Sequence, residues 1–446
     1  MNGLLTDLYE LTMAAGYFAA GKAPEMATFE LSVRRLPARR NFVIAAGLEQ
    51  AVEYLVNLQF TAGEIDYLRK LPQFVSAPPA FFDYLLGMRF TGDVFAVPEG
   101  TPVFSGEPVL TLRAPLIEAQ IPETYLLSMI GFQSLVATKA ARIVETAGGR
   151  SVVEFGTRRA HSPEAGVLAG RAAYIGGCIG TSNTLTGFRY GIPTYGTAAH
   201  SWVLAFAKED EAFRQLQTLL GATTIYIVDT YDTLEGVRKA AGLGHPLWGV
   251  RLDSGDFVEL SRAVRAILDG AGLRDAKIMA SGDLDEYKIG QLVAAGAPID
   301  AFGVGTELAT SADAPNIGAV YKLVELESGG VKRYTAKFSE DKAGLPGAKQ
   351  IFRFRDHDEV ACAWEQRLGT AQNPVETLLR PVMVGGKLIE PLPGAEKARE
   401  RTSLALKKLP ENVRRLADPE PYRVQYSPEL LSLLAQAWKN MAGAPA

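Results

Sequence analysis

Apolar positions along the chain recur at two spacings, and their alternation predicts a mixed α/β protein. Residues 8–20 read as a helix and 26–33 as a strand, after which 47–57 and 61–71 return to helical spacing. Between Phe90 and Arg113 the pattern shortens into β runs at 93–97, 103–104 and 109–112, set apart by Gly and Pro, which predicts an antiparallel β module. From about Val152 short hydrophobic strands appear at 152–155, 224–228, 247–252, 277–280 and 299–302, separated by helical stretches. After Gly318, strands at 319–326 and 331–338 flank a hairpin turn at Ser328-Gly329-Gly330. A basic loop follows from Gly344, and 419–446 reads as a Leu-rich helical tail.

Strands spaced by helices build parallel β/α units, so the choice lies between a barrel and a doubly wound sheet. Each strand is followed at once by a polar cluster: Glu154-Phe-Gly-Thr-Arg-Arg159, Asp229-Thr-Tyr-Asp232, Asp253-Ser-Gly-Asp256, Ser281-Gly-Asp283 and Gly303-Val-Gly-Thr306. In a barrel all such strand ends open on one face and converge on one pocket, whereas a doubly wound sheet gathers them only at one crevice. The pattern favours the barrel.

Composition narrows the function classes. The 446 residues amount to roughly three domains of ordinary size, or to one barrel with a smaller attached domain. With 46 Lys and Arg against 50 Asp and Glu and no long run of one sign, nucleic acid is a disfavoured partner. Asp7 and Glu10 interrupt what would be the apolar part of a signal peptide, and no stretch approaches the ~20 apolar residues of a membrane span. Cys178 and Cys362 are too few and too distant for a disulfide scaffold or a Cys-rich zinc site, so the expectation is a cytoplasmic protein without a membrane partner.

The strand-end clusters carry the chemistry. Gly303, Gly305 and Thr306, with Ser281 and Gly282 one β/α unit earlier, offer backbone N–H groups at which a phosphate can sit, although a plain tight turn, or N-capping by Ser281 or Asp283, explains the same residues. Asp253 and Asp256 are spaced to grip sugar hydroxyls or a Mg²⁺ held by phosphate; Asp253, at the strand terminus, is the better ligand and Asp256 the better helix cap. Arg158 and Arg159 are natural partners for a carboxylate or phosphate, and one of them can instead pair with Glu154. His200 sits among small residues, which leaves room for a bulky group to approach the ring, and imidazole is a nucleophile. His161, His245 and His357 lack that setting, the histidines show no metal-ligand spacing, and no metal ligand is assigned.

The opening Leu4-Leu-Thr-Asp-Leu-Tyr-Glu-Leu-Thr-Met13, together with Glu154-Phe-Gly-Thr-Arg-Arg, Gly196-Thr-Ala-Ala-His-Ser, Val250-Arg-Leu-Asp-Ser-Gly-Asp and Phe302-Gly-Val-Gly-Thr, resembles the nicotinate phosphoribosyltransferase family. The resemblance runs in order from about residue 4 to Arg353, departing at Thr157, where leucine is frequent. It implies an α/β fold of the type II phosphoribosyltransferase kind, an irregular β/α barrel with an α/β sandwich domain that includes the antiparallel module. It further implies conversion of nicotinate and phosphoribosyl diphosphate to nicotinate mononucleotide and diphosphate, coupled to ATP hydrolysis, with Mg²⁺, in a homodimer with shared active sites. By the same resemblance His200 is the histidine that ATP phosphorylates, Arg158 holds the nicotinate carboxylate, Thr197 lines that pocket, and Tyr9, with Asp7 nearby, stacks on the pyridine from the partner subunit. Asp253 contacts the ribose, Ser281, Gly282, Gly303, Gly305 and Thr306 cradle the 5-phosphate, and Lys349 and Arg353 reach the diphosphate or ATP.

The expected partition is 1–135 for the N-terminal part of the sandwich, 136–318 for the barrel and active site, and 319–446 for the return strands, basic loop and helical extension. The competing function is a β/α-barrel sugar-phosphate isomerase or hydrolase using Asp253 and Asp283 as acid and base. Within the class, the nicotinamide and quinolinate enzymes compete, and the long N-terminal motif argues for nicotinate.

Overall fold

The computed structural model describes residues 3–337, 344–370, 372 and 374–442. Phe338, the last residue of an expected strand, and the last four residues of the expected tail lie outside them. The chain forms two compact units, one of residues 1–134, 316–393 and 404–446, the other of 135–315 and 394–403. The change of unit falls inside a 24-residue helix, Glu123–Thr146.

The first unit is built on a seven-stranded sheet in the order Val331–Tyr334, Gly318–Ser328, Met26–Arg35, Pro108–Pro115, Asp93–Ala96, Arg380–Val384, Lys387–Leu388. Every pairing in it is antiparallel. The predicted module is there, with Asp93 opposite Arg113, but Pro102–Val103 leaves it to pair with Val43–Ile44. Leu31, Leu110, Leu112 and Phe81 are buried in its core, where the Phe29 and Tyr321 rings stack at 4.8 Å. The turn at Ser328-Gly329-Gly330 needs both glycines, since their φ angles of 56° and 79° are disfavoured for side-chain-bearing residues.

The segment expected as a basic loop after Gly344 becomes a strand instead. Lys349–Arg353 joins Asp358–Cys362, Glu376–Thr377 and Val424–Tyr426 in a four-stranded sheet. Its pairing with Val424–Tyr426 goes through Asp358–Cys362, which pulls the first part of the expected helical tail into a strand; the helix proper is Pro428–Ala442.

The second unit contains six parallel strands, β1 Ser151–Glu154, β2 Gly180–Thr181, β3 Ile225–Ile227, β4 Gly249–Leu252, β5 Lys277–Ser281 and β6 Ala301–Val304. Their order is β2-β1-β6-β5-β4-β3. The last strand therefore pairs with the first, and all successive strands except β2 and β3 are neighbours, which is a barrel sequence without the reversal of a doubly wound sheet. The barrel is irregular: among the described residues no ladder joins β2 to β3, and Thr181 bridges Thr194 instead. Ser162, Asn183, Asp232, Asp256 and Asp285 each cap the helix that follows them, which sets where the intervening helices begin. Among the described residues no helix is long and apolar enough to cross a membrane, and Cys178 and Cys362 are buried and unpaired.

Candidate active site at the barrel strand ends

The C-terminal ends of β1, β3, β4, β5 and β6 carry the five polar clusters, as a barrel requires. At the end of β4, alternation turns Val250 and Leu252 into the core and Arg251 to the other side of the strand. Arg251 is the organising residue there. Its Nε donates to Ser281 Oγ at 2.6 Å, one terminal nitrogen to Thr197 Oγ1 at 2.8 Å and the other to Asp253 Oδ1 at 2.7 Å. Its guanidinium also lies over the Phe155 ring at 5.7 Å, and that ring packs where Gly303 has no Cβ. The sequence alone gives Arg251 no role; a cation between two buried apolar residues of a core strand is the signal it offers.

Asp253 receives a second hydrogen bond, from Ser281 Oγ at 2.6 Å. Burial works against its ionised form, but the Ser281 hydroxyl, the Arg251 guanidinium and His200 outweigh it and hold the carboxyl below the usual carboxylate range. Asp229, at the end of β3, accepts from the Asp253 amide at 3.0 Å and from Ser254 Oγ at 2.7 Å through one oxygen, while its buried Oδ1 has no hydrogen-bond partner. Neither Asp229 nor Thr230 was given a role from sequence, although Asp229 opened one of the quoted clusters.

His200 begins the short helix His200–Leu204 and stands between these carboxylates. Its Nε2 lies 3.9 Å from Asp229 Oδ1 and 3.9 Å from Asp253 Oδ2, and its Nδ1 is 3.2 Å from Thr230 Oγ1. With Nδ1–H donating to the threonine, the Nε2 lone pair is free and faces the two carboxylates. The imidazole is 41% exposed, so a reactant can reach it.

Arg158 and Arg159 lie exposed in the turn Thr157–Arg159, and neither pairs with a described residue. The expected ion pair with Glu154 is absent: Glu154 is buried, accepts from Thr181 Oγ1 at 2.5 Å and from the Gly156 amide, and is held above the ordinary carboxyl range by burial. The arginines are thus left unneutralised beside the end of β1. Thr157 Oγ1 accepts from the Asn183 side-chain amide at 3.2 Å, fixing this turn to the start of the helix Thr184–Tyr190.

The two glycine loops differ from expectation in detail. β6 runs two residues later than predicted, so Gly303 and Val304 belong to its ladder opposite Val153 and Glu154, and only Gly305 and Thr306 form the loop. At the end of β5, Gly282 has φ 100° and its α-carbon passes so close to the backbone of Asp253 that a Cβ would fall 2.1 Å from the carbonyl oxygen. Capping of the next helix falls to Asp285 rather than Ser281 or Asp283, and Asp256 caps its own helix through the amides of Val258 and Glu259.

The remaining candidates lie in the first unit. Tyr9 is 46% exposed and lines a cavity of about 360 Å³ with Met13, Glu123, Tyr321, Lys322 and Lys337; burial, then Glu123 and Glu10, raises its phenol above the ordinary range. Asp7 accepts from Thr124 Oγ1 at 2.9 Å in the same region. Lys349 and Arg353 are not on an open loop. Lys349 is buried with Nζ 2.7 Å from Glu30 and 2.6 Å from the Gly347 carbonyl, and Arg353 is tied to Asp358 at 2.6 Å and to the Pro102 carbonyl at 2.8 Å. Both charges are spent within the fold.

Three family models describing nicotinate phosphoribosyltransferase match the chain: an N-terminal domain over residues 4–131, the family itself over 150–333 and a C-terminal domain over 353–434. The chain is 44% identical to nicotinate phosphoribosyltransferase pncB2 of Mycobacterium tuberculosis, over 98% of this chain and 94% of that one. Among solved structures, human nicotinic acid phosphoribosyltransferase matches with a TM-score of 0.84 at 30% identity, over 97% of this chain and 99% of that one. Nicotinate-nucleotide pyrophosphorylase from Pyrococcus furiosus matches with a TM-score of 0.74 at 28% identity, covering 91% and 95% of the two chains.

Proposed function

Because the chain belongs to the nicotinate phosphoribosyltransferase family and is an enzyme of that activity in NAD salvage, we propose that it joins nicotinate to the anomeric carbon of phosphoribosyl diphosphate in a reaction coupled to ATP hydrolysis through His200. The observation that carries the coupling is the placement of His200: an accessible Nε2 between two carboxylates, with Nδ1 anchored on Thr230. In the coupling step Nε2 forms a bond to the γ-phosphorus of ATP as the bond to the β–γ bridging oxygen breaks and ADP leaves; water then takes the phosphoryl group from Nε2, which releases inorganic phosphate and restores the free imidazole. Thr230 keeps the proton on Nδ1, and Asp229 and Asp253 balance the cationic ring.

Glycosyl transfer needs little acid–base help, since the pyridine nitrogen brings its own lone pair and diphosphate is a good leaving group. The residues therefore position and balance charge. Arg158, unpaired at the end of β1, binds the nicotinate carboxylate, and Thr197, oriented by Arg251, lines that pocket. Asp253, kept ionised, faces the ribose hydroxyls and the positive charge that develops at the anomeric carbon. Gly282, Gly305 and Thr306 receive the 5-phosphate from the loops after β5 and β6; Ser281 and Gly303 support them from the strands, Ser281 by fixing Asp253 and Gly303 by admitting Phe155. Tyr9 closes the pyridine pocket from the partner subunit of a homodimer. Lys349 and Arg353 are left out of the site.

The residues fit Mg²⁺ in part. Among the described residues no cluster of three or more His, Cys, Asp or Glu could hold a metal alone, but Asp229 Oδ1 is an unpartnered oxygen close to His200. With diphosphate oxygens completing the shell, Asp229 and Asp253 are the side chains that would hold the ion. Bound there, Mg²⁺ would neutralise charge on the diphosphate. We place the enzyme in the cytoplasm, where two unpaired buried cysteines are at home.

The test is product formation from nicotinate with and without ATP, in wild type and His200→Ala. Stimulation by ATP in the wild type and none in the variant, with basal transfer retained, is the expected result. Equal stimulation in both would refute the coupling through His200.

A further inference from the structure

Lys139 lies in the helix Glu123–Thr146, in the same unit as the barrel, and its side chain is 1% exposed. A buried ammonium persists only where carboxylates surround it. Its Nζ is 2.6 Å from Glu286, an ionic contact without hydrogen-bond geometry, 2.9 Å from Asp313 and 3.8 Å from Glu307. One turn further along the helix, Arg142 takes the other oxygen of Glu286 at 3.0 Å and reaches the Tyr287 hydroxyl at 3.2 Å.

The identity of these acids matters more than their number. Glu286 is the first residue of the helix Glu286–Ala294, which starts two residues after the Ser281-Gly282-Asp283 loop. Glu307 is the second residue of Thr306–Ala309, which starts directly after Gly305, and Asp313 follows the end of that same helix. One buried cation thus ties the starts of the two segments that leave the two glycine loops. No other described lysine is both fully buried and bonded to three acids from such segments.

We propose that Lys139 is a positioning residue for the phosphate end of phosphoribosyl diphosphate, setting the separation of the β5 and β6 loops through Glu286, Glu307 and Asp313. This rests on the reading that Gly282, Gly305 and Thr306 receive the 5-phosphate. The Thr306 hydroxyl and the backbone donors on two separate loops bind one phosphate well only at one separation, and Lys139 supplies the strut without touching the ligand.

The experiment is steady-state kinetics on the full-length enzyme, varying phosphoribosyl diphosphate and nicotinate in turn, for Lys139→Met, Lys139→Arg, Glu307→Gln and Thr306→Val. Lys139→Met should raise KM for phosphoribosyl diphosphate about tenfold while KM for nicotinate stays within about twofold, and Lys139→Arg should recover part of the loss. Glu307→Gln removes the longer of the two contacts to the β6 side and leaves that of Asp313 at 2.9 Å; its side chain is 35% exposed, so the fold is kept, and it should raise the same KM about threefold. This variant decides the matter if Lys139→Met does not fold. Thr306→Val reports on the cradle directly. If it raises KM for phosphoribosyl diphosphate while the Lys139 and Glu307 variants do not, the positioning role is overturned and the cradle stands. If Thr306→Val leaves that KM unchanged, the cradle reading has failed and the proposal falls with it. A uniform loss of folded enzyme in Lys139→Met with both KM values unchanged, and no effect of Glu307→Gln, would make Lys139 structural only.

Discussion

Arg251 with Asp253 and Arg353 with Asp358 close at 2.7 and 2.6 Å, both from neighbouring positions in short strands, yet their surroundings are opposite. Around Arg353 the acids are sealed. Asp358 and Glu107 are fully buried, Tyr422 stacks on Phe104 at 3.9 Å and donates to Asp358, and the guanidinium lies over Phe104. Around Arg251 the cluster opens: Asp253 is 26% exposed, His200 stands at 3.9 Å with an exposed ring, and the remaining bonds go to small hydroxyls. Each guanidinium lies over a phenylalanine ring, so the rest of the surroundings decides: the ion pair completes a fold where its other neighbours are a buried glutamate and a tyrosine, and prepares a site where they are hydroxyls and an exposed histidine. Chemistry needs the partly satisfied version.

The sharpest way to break this contrast is to remove each arginine. Arg251→Met should cut kcat/KM about 10²–10³-fold, since Thr197, Ser281 and Asp253 lose their common donor at once, while the melting transition moves little. Arg353→Met should do the reverse, costing about 3–5 kcal/mol of stability by stranding the buried Asp358 carboxylate, with activity per folded molecule unchanged. Kinetics on gel-filtered protein beside thermal unfolding separates the two. Loss of activity at full stability in Arg353→Met would return that residue to the site.

Much of this division was beyond the sequence. The barrel strands were legible because each is a short apolar run followed by polar residues, and the end of β6 was misplaced by two residues because Gly303 looks like loop and is a strand residue that makes room for Phe155. Asp253 drew attention for the same reason, since it follows the end of a strand, and His200, which opens a helix, for its small neighbours. Lys349 and Arg353 were misread, because their neutralising partners are invisible in a local window. Glu30 is 319 positions from Lys349, and Asp358 faces Arg353 only once the hairpin of Lys349–Arg353 and Asp358–Cys362 has formed. Arg251 went unassigned because alternation marks it as turned out of the core but does not say toward what.

The two clusters should also respond to pH with opposite sign. Burial first, then Asp358, pushes Glu107 well above the ordinary carboxyl range, so the native state holds a proton that the unfolded chain releases. The stability from Glu107 is therefore complete below the ordinary carboxyl pKa and is lost as pH rises through the raised folded value. Asp253 is depressed, so its contribution is complete above the ordinary pKa and is lost as pH falls through the lowered one. Thermal unfolding across pH 3 to 8, a range of roughly one carboxyl titration and the region above it, should show Glu107→Gln flattening the decline at the alkaline side and Asp253→Asn flattening the decline at the acid side. Interchanged behaviour would mean that the sealed cluster is the ionised one.

The smallest effect sharpens the contrast most, because it separates two aspartates three positions apart in Asp253-Ser254-Gly255-Asp256. Asp256 is exposed and accepts from the amides of Val258 at 2.9 Å and Glu259 at 3.1 Å, opening the 14-residue helix Phe257–Gly270. Its carboxylate is used by the helix, whereas Asp253 is held by side chains from β4 and β5 and turns its second oxygen to His200. Asp256→Ala should therefore cost about 1 kcal/mol, the ordinary value of an N-cap, and Asp256→Asn less, since the amide oxygen still accepts. Neither change should alter KM for phosphoribosyl diphosphate, measured beside Asp253→Asn in the same assay. A rise in KM from Asp256→Asn, which keeps the cap, would show that the second carboxylate of the motif also meets the ligand.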